Sequence, residues 1–260
     1  MTLHEIRSAM EPIVRRAGSY VKSAVPVHAN EKSGHADLVT EYDVNTQRML
    51  VRDLTALIPE ANVLGEEEHL SCDVTKGYCF IIDPIDGTTN FVMGFNHSAV
   101  SVALLLDGEP VIGMVYNPWA EEFYSAVRGE GAFCNGTPIS VRNAPLRDCA
   151  VTFGTAAYYP PLAHRTVRVL DRLITEVVGI RSQGSGALDV CDSARGRCGV
   201  YFEFRLCPWD YAAGSLIVTE AGGQITDEHG NPVSYTTPGS IVAGGKQACN
   251  ELIDLLRQIP

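Results

Sequence analysis

Residues 78–91 read Tyr-Cys-Phe-Ile-Ile-Asp-Pro-Ile-Asp-Gly-Thr-Thr-Asn-Phe, and no other stretch limits the fold so much. The first five form an apolar run of strand length. Asp83 and Asp86 follow around Pro84, with Gly87, Thr88 and Thr89 behind them. The carboxyl end of a strand is where α/β proteins place ligand sites. Two carboxylates held about 4 Å apart repel by ~1 kcal/mol in water and ~4 kcal/mol near a protein surface. A divalent cation would remove that cost. The residues alone also allow a strand-to-loop turn with solvated aspartates, because Pro, Gly and Asp are turn formers.

The chain has 260 residues, 45% hydrophobic and 20% charged, which suits one large ordered domain or two intimate ones. We divide it into an N-terminal α+β half, 1–145, and a C-terminal α/β half, 146–260, that completes the site. A net charge of -11 makes nucleic acid an unlikely partner. The N-terminus lacks a basic-then-apolar leader, and no apolar run approaches the roughly 18 residues of a membrane span. Eight scattered cysteines without a C-x-x-C pair read as reduced thiols, so a cytoplasmic protein is expected.

Periodicity fixes most elements. Thr2 and Glu5 form a capping-box pattern before a helix over 2–24 that buries Leu3, Ile6, Met10, Ile13, Val14, Ala17 and Val21. Residues 30–42 are polar and irregular apart from Leu38-Val39, and a second helix is expected from about Asp43 to Ile58. A short strand, Val63-Leu64, leads into Gly65-Glu66-Glu67-Glu68. After the opening motif, 98–106, 111–116 and 121–127 form a meander. The second half alternates: a strand at 150–153, and a helix over 161–178 with Ala163, Val167, Leu170, Ile174 and Val177 on one spacing. A short helix then follows Gly184-Ser185-Gly186, with a strand at 200–204, a helix over 208–221, a strand at 240–243 and a final helix.

More carboxylates stand where strands end. Glu66 follows one strand and Asp210 opens the helix after another, while Asp43 starts the second helix. Each has an ordinary reading: Asp43 as a helix N-cap, Asp210 complementing a helix dipole, Glu66-Glu67-Glu68 as a solvated face. Together with Asp83 and Asp86 they make a hard oxygen set without His or Cys, which suits Mg²⁺. Gly87-Thr88-Thr89 would begin a helix whose free N–H groups can receive phosphate, and a Thr88 hydroxyl could orient a water. Those are the parts of phosphate-ester hydrolysis.

The chain resembles the inositol monophosphatase family of Mg²⁺-dependent, lithium-sensitive phosphatases over nearly its whole length. The resemblance rests on GEEE (65–68), DPIDGTTNF (83–91) and WDYAAGSLIVTEAGG (209–223), in order and spacing. It implies a layered α-β-α-β-α sandwich of the inositol monophosphatase and fructose-1,6-bisphosphatase type, usually a homodimer. It also implies two or three Mg²⁺ ions. Glu66, Asp83 and the Ile85 carbonyl would hold the first, Asp83, Asp86 and Asp210 the second, with a weaker third near Glu66. Thr88 and Glu66 would position the attacking water, Asp43 would pair with Thr88, and the Gly87 and Thr88 N–H groups would hold phosphate. Gly184, Ser185, Gly186, Glu203 and Asp210 would face the substrate, and Lys32 would ride on a mobile loop.

The implied substrate is a small phosphorylated metabolite, inositol monophosphate first. Fructose 1,6-bisphosphate, histidinol phosphate and phosphoadenosine phosphate are alternatives that the same metals would serve. Some family members also bind transcription machinery. Departures include Gly34-His35 on the loop, Ser185-Gly186, and Arg205, which could meet a second anionic group or pair with Glu203. Haloacid-dehalogenase phosphatases fit less well, because their D-x-D-G-T spacing differs from Asp83 and Asp86 and lies near the N-terminus.

Overall fold

The computed structural model describes residues 1–24, 29–34, 37–68 and 70–259. α1 (Leu3–Lys22) starts on the expected capping box: Thr2 N–H donates to the Glu5 carboxylate at 2.7 Å, and Glu5 N–H returns to the Thr2 hydroxyl at 3.2 Å. Its stripe of Ile6, Met10, Val14, Ala17 and Val21 is buried. The region expected to be irregular contains an antiparallel pair, β1 (Ala29–Gly34) and β2 (Asp37–Thr40). Its residues are mostly polar, and backbone pairing leaves no hydrophobic period to read. α2 (Glu41–Leu57) begins on Thr40 instead of Asp43. The Thr40 hydroxyl accepts from the N–H groups of Tyr42 and Asp43, while Asp43, at the third helical position, accepts from Thr40 N–H at 2.8 Å.

Seven strands form the first sheet in chain order: β3 (Asn62–Gly65), β4 (Tyr78–Asp86), β5 (Ala99–Leu106), β6 (Glu109–Asn117), β7 (Glu122–Val127), β8 (Ala132–Cys134) and β9 (Thr137–Pro138). Only β3 and β4 run parallel. The short helix α3 (Thr88–Met93) follows β4. β10 (Ala150–Phe153), β11 (Gly179–Arg181), β12 (Val200–Leu206), β13 (Gln224–Thr226) and β14 (Gly239–Gly244) make a mixed second sheet, ordered β11-β10-β12-β14-β13. The remaining helices are α4 (Pro160–Leu173), α5 (Gly186–Ala194), α6 (Pro208–Glu220) and α7 (Lys246–Leu256).

Three cores stack these elements into five layers. Phe80 and Ile82 of β4 pack with α1 and α2, whereas Cys79 and Ile81 point the other way, into a core shared with α5 and α6. Both faces of β4 are therefore buried, which explains its unbroken apolar run. Beyond α5 and α6 lies the second sheet: Tyr201 faces inward to them, and Phe202 and Phe204 face outward to α4 and α7. The order α1/α2, sheet, α5/α6, sheet, α4/α7 is the expected α-β-α-β-α sandwich. α6 lies between the sheets, and Ala212 through Val218 are all buried, as expected of a helix that is apolar on every side.

α4 departs from expectation. It stops at Leu173, and its buried residues are Thr166, Val169 and Leu173. Val167 and Ile174, on the anticipated stripe, are 62% and 68% exposed. Apolar residues occupy two helical phases here, and packing against Phe202 and Phe204 selects the other one. Among the described residues no helix is long and apolar enough to cross a membrane.

Candidate metal centre

Asp83 and Asp86 are an odd number of residues apart, so a regular strand would send them to opposite faces. β4 avoids this with a bulge. Asp83 pairs with Ser101 and Asp86 with Ala99, so three steps on β4 oppose two on β5. The extra residue turns Asp86 back to the face of Asp83. Pro84 lies beyond Ile82, the last partner of β3, where a missing N–H breaks no ladder bond. Asp210 enters from the start of α6, held by Cys207 N–H at 2.7 Å. One oxygen each from Asp83, Asp86 and Asp210 lies within 4.8 Å of the others.

Such closeness is costly without a counter-charge. Burial raises the Asp83 carboxyl well above its ordinary value, and the neighbouring Glu66, Asp86 and Asp210 add to the rise. Asp210 is raised for the same reasons, burial first, then Asp86 and Glu66. Burial also lifts Asp86, but hydrogen bonds from Ser185 and Ala187 restrain it at about 7. The residues therefore fit a hard divalent cation: oxygen donors only, converging, and destabilised until positive charge arrives.

Glu66 stands at the edge of this cluster. Gln47 of α2 fixes its turn, donating to the Glu67 carbonyl at 2.5 Å and accepting from Glu67 N–H at 2.9 Å. Glu66 N–H donates to the Ile82 carbonyl at 3.3 Å. The three glutamates are not one solvated face. Glu67 is buried, and Glu68 pairs with Arg48 at 2.5 Å.

The Thr88 hydroxyl stands 3.1 Å from both Asp43 Oδ1 and the Ile85 carbonyl. Asp43 and Thr88 thus pair as expected. Burial raises Asp43 to about 6 despite the Thr40 hydrogen bonds that oppose it. Asp43, Thr88 and Ile85 form one chain of contacts leading from α2 to the end of β4.

The substrate-side residues divide. Ser185, expected to face a ligand, is buried, and its hydroxyl donates to Asp86 Oδ2, joined there by Ala187 N–H at 2.9 Å. Gly186 is buried and Gly184 exposed. Glu203 is half-buried, accepting from the Tyr201 hydroxyl at 2.7 Å and from Ala156 N–H at 3.0 Å. Burial raises its carboxyl, and those two bonds oppose the rise. Arg205 does not pair with it; its guanidinium lies over the Tyr159 ring, 4.3 Å from the centroid. The Lys32 side chain and His35 lie outside the described residues.

Asn90, next to last in the opening motif, has a task that the sequence does not show. Its amide donates to the His97 carbonyl at 2.8 Å and the Gln183 carbonyl at 2.7 Å. It thereby ties the loop after α3 to the loop before α5. Gly87, at φ 88°, lies in the same seam, where a Cβ would come within 2.9 Å of the Gly184 carbonyl oxygen.

The model of the inositol monophosphatase family matches residues 2–260. The chain belongs to the inositol monophosphatase family. Its inositol monophosphatase relatives include one from Bacillus subtilis named inositol-1-monophosphatase, 33% identical over 92% of each chain. A Vibrio cholerae relative named Nus factor SuhB is 34% identical over 98% of this chain and 97% of its own. The crystal structure of the extragenic suppressor protein suhB from Bartonella henselae superposes with a TM-score of 0.90 at 33% identity, covering 98% of this chain and 99% of that one.

Proposed function

We propose that this member of the family hydrolyses a small phosphate monoester, with inositol monophosphate the first candidate. The observation that carries the reading is the convergence of Asp83, Asp86 and Asp210 beside the Thr88–Asp43 pair. Glu66, Asp83 and the Ile85 carbonyl would hold one Mg²⁺, and Asp83, Asp86 and Asp210 a second. Bound Mg²⁺ would supply charge neutralisation and Lewis-acid polarisation of the phosphoryl oxygens.

The protein's own groups do the rest. Ionised Asp43 draws the Thr88 proton towards itself, leaving a Thr88 lone pair to accept a hydrogen bond from the attacking water. Glu66, at the edge of the cluster, would take that water's second proton. Gly87 and Thr88 begin a helix whose first N–H groups have no intrahelical acceptor and suit a phosphate oxygen. Glu203 accepts a hydroxyl of the leaving alcohol. Gly184 lies on the exposed side of the same region, and Lys32 belongs to the β1–β2 pair, the segment that would cover it.

We also propose a homodimer in the cytoplasm. Val167 on α4 and Ile174 at its C-cap, seven residues apart, share a helix face and stand exposed, which favours burial against a second copy. Sedimentation would report it.

A second reading follows from the Vibrio relative's name, Nus factor: a role in a macromolecular complex without turnover. The intact carboxylate set favours catalysis. A phosphate-release screen decides between them, using inositol phosphates, fructose 1,6-bisphosphate, histidinol phosphate and phosphoadenosine phosphate with Mg²⁺ and with chelator. Release from none of them with Mg²⁺ present would overturn the phosphatase reading.

A further inference from the structure

Arg205 is a half-buried cation with no anionic partner among the described residues. It lies on β12 two residues past Glu203, inside the bulge where three steps of β12, Glu203 to Leu206, oppose two of β14. Tyr201, two residues before Glu203 on the regular part of the strand, donates its hydroxyl to the Glu203 carboxylate. The Glu203 carboxylate is already engaged by Tyr201 and Ala156, and among the described residues no carboxylate lies within ion-pairing distance of Arg205.

One loop builds the surroundings of both residues. Ala156, held at φ 47°, delivers its N–H to Glu203. Gly154 passes so close that a Cβ there would overlap the Glu203 carboxylate. Three residues after Ala156, Tyr159 slides its ring beneath the Arg205 guanidinium. A guanidinium held over a ring face keeps N–H donors that can match a phosphate or carboxylate. The same loop thus touches both the hydroxyl acceptor, Glu203, and the anion donor, Arg205.

We propose that Arg205 reads a second phosphate group on the substrate, so that a polyol carrying a second phosphate is turned over better than the monophosphate of the same skeleton. The inference rests on the phosphatase reading of the Asp83–Asp86–Asp210 centre. In this arrangement the scissile phosphate lies at the carboxylates, Glu203 takes a hydroxyl of the carbon skeleton, and Arg205 takes the distal phosphate. Binding of the distal group is the same before and during reaction, so its loss should appear mainly in KM.

The test compares fructose 1,6-bisphosphate with fructose 1-phosphate, which share a skeleton and differ by that group. In Mg²⁺, the wild type should favour the bisphosphate in kcat/KM. Arg205→Ala should lose at least about tenfold more on the bisphosphate than on the monophosphate. Arg205→Lys should recover part of the difference, with melting temperatures near wild type. Equal losses on both substrates, or a wild type indifferent to the second phosphate, would overturn the proposal while leaving the phosphatase reading in place. A change of oligomeric state together with equal losses would do the same, marking Arg205 as a subunit contact. Should neither ester be hydrolysed, calorimetric titration of both into wild type and Arg205→Ala still decides. Weaker binding of the bisphosphate alone to the variant supports the second-phosphate site, and equal or absent binding refutes it.

Discussion

The Ser185 hydroxyl donates to Asp86 Oδ2 across 99 residues of chain, joining the start of α5 to the end of β4. That bond aims a carboxylate which, by charge alone, would turn from its neighbours. Ser185→Ala leaves only the Ala187 N–H on Asp86. A hydrogen bond to a charged group contributes about 1.5–3 kcal/mol, so kcat/KM should fall roughly 10- to 100-fold in the folded variant. Asp86→Asn removes a charge from the cluster itself and should cost about a thousandfold, ~4 kcal/mol. Steady-state phosphate release with titrated Mg²⁺ would rank the two; full activity of Asp86→Asn in chelator would remove the metal assignment.

Thr88→Ala should abolish most turnover while keeping Mg²⁺ affinity, because on the proposed reading its hydroxyl orients the water, whereas Asp83, Asp86 and Asp210 remain. Direct attack by water also inverts configuration at phosphorus. A substrate made chiral there with sulfur and oxygen isotopes would show it, whereas retention, or a trapped phosphoaspartate, would reveal a covalent step.

Without metal, the protein should lose stability as pH rises from about 4 to 7. Asp43 is raised from 3.8 to about 6 and Asp86 to about 7, so in that window the folded protein holds protons that the unfolded chain has released. For Asp43 alone, ionisation in the fold costs about 3 kcal/mol. Scanning calorimetry in chelator should give a higher Tm at pH ~5 than at pH ~7.5, and Mg²⁺ at the higher pH should restore it. A Tm that climbs over this range in chelator would contradict the electrostatic reading.

Glu203→Ala should harm inositol phosphate hydrolysis more than that of a simple aryl phosphate, since the aryl ester offers no hydroxyl to read. Gly154→Ala should mimic it by pushing the carboxylate aside. Parallel kcat and KM measurements on the two esters check both, and equal losses on each would make Glu203 a structural residue.

Much of this was legible because both faces of β4 are buried and its sequence is correspondingly apolar. Three sequence motifs supplied Glu66, Asp83, Asp86 and Asp210. Other features carried no periodic signal. β8, β9, β11 and β13 have two or three residues each, too few for an alternation. Val167 and Ile174 lie on a plausible helical stripe, and only packing against the second sheet shows which phase is buried. The bulge that brings Asp83 and Asp86 to one face arises from pairing with β5, and a strand's own sequence does not state its register. The task of Ser185 depends on a contact with a distant strand, which local reading cannot supply.

α6 closes the space between the two sheets, yet it is made late. The ribosome must add roughly eighty residues between β9 and the end of α6, about 4–16 seconds at typical rates. Throughout that interval the apolar face of the first sheet, with Cys79, Ile81, Ala103, Leu105 and Val115, is without its cover. The first half of the nascent chain is therefore a sticky intermediate, and the yield of this protein in a cell depends on how translation speed and chaperone supply bridge that gap.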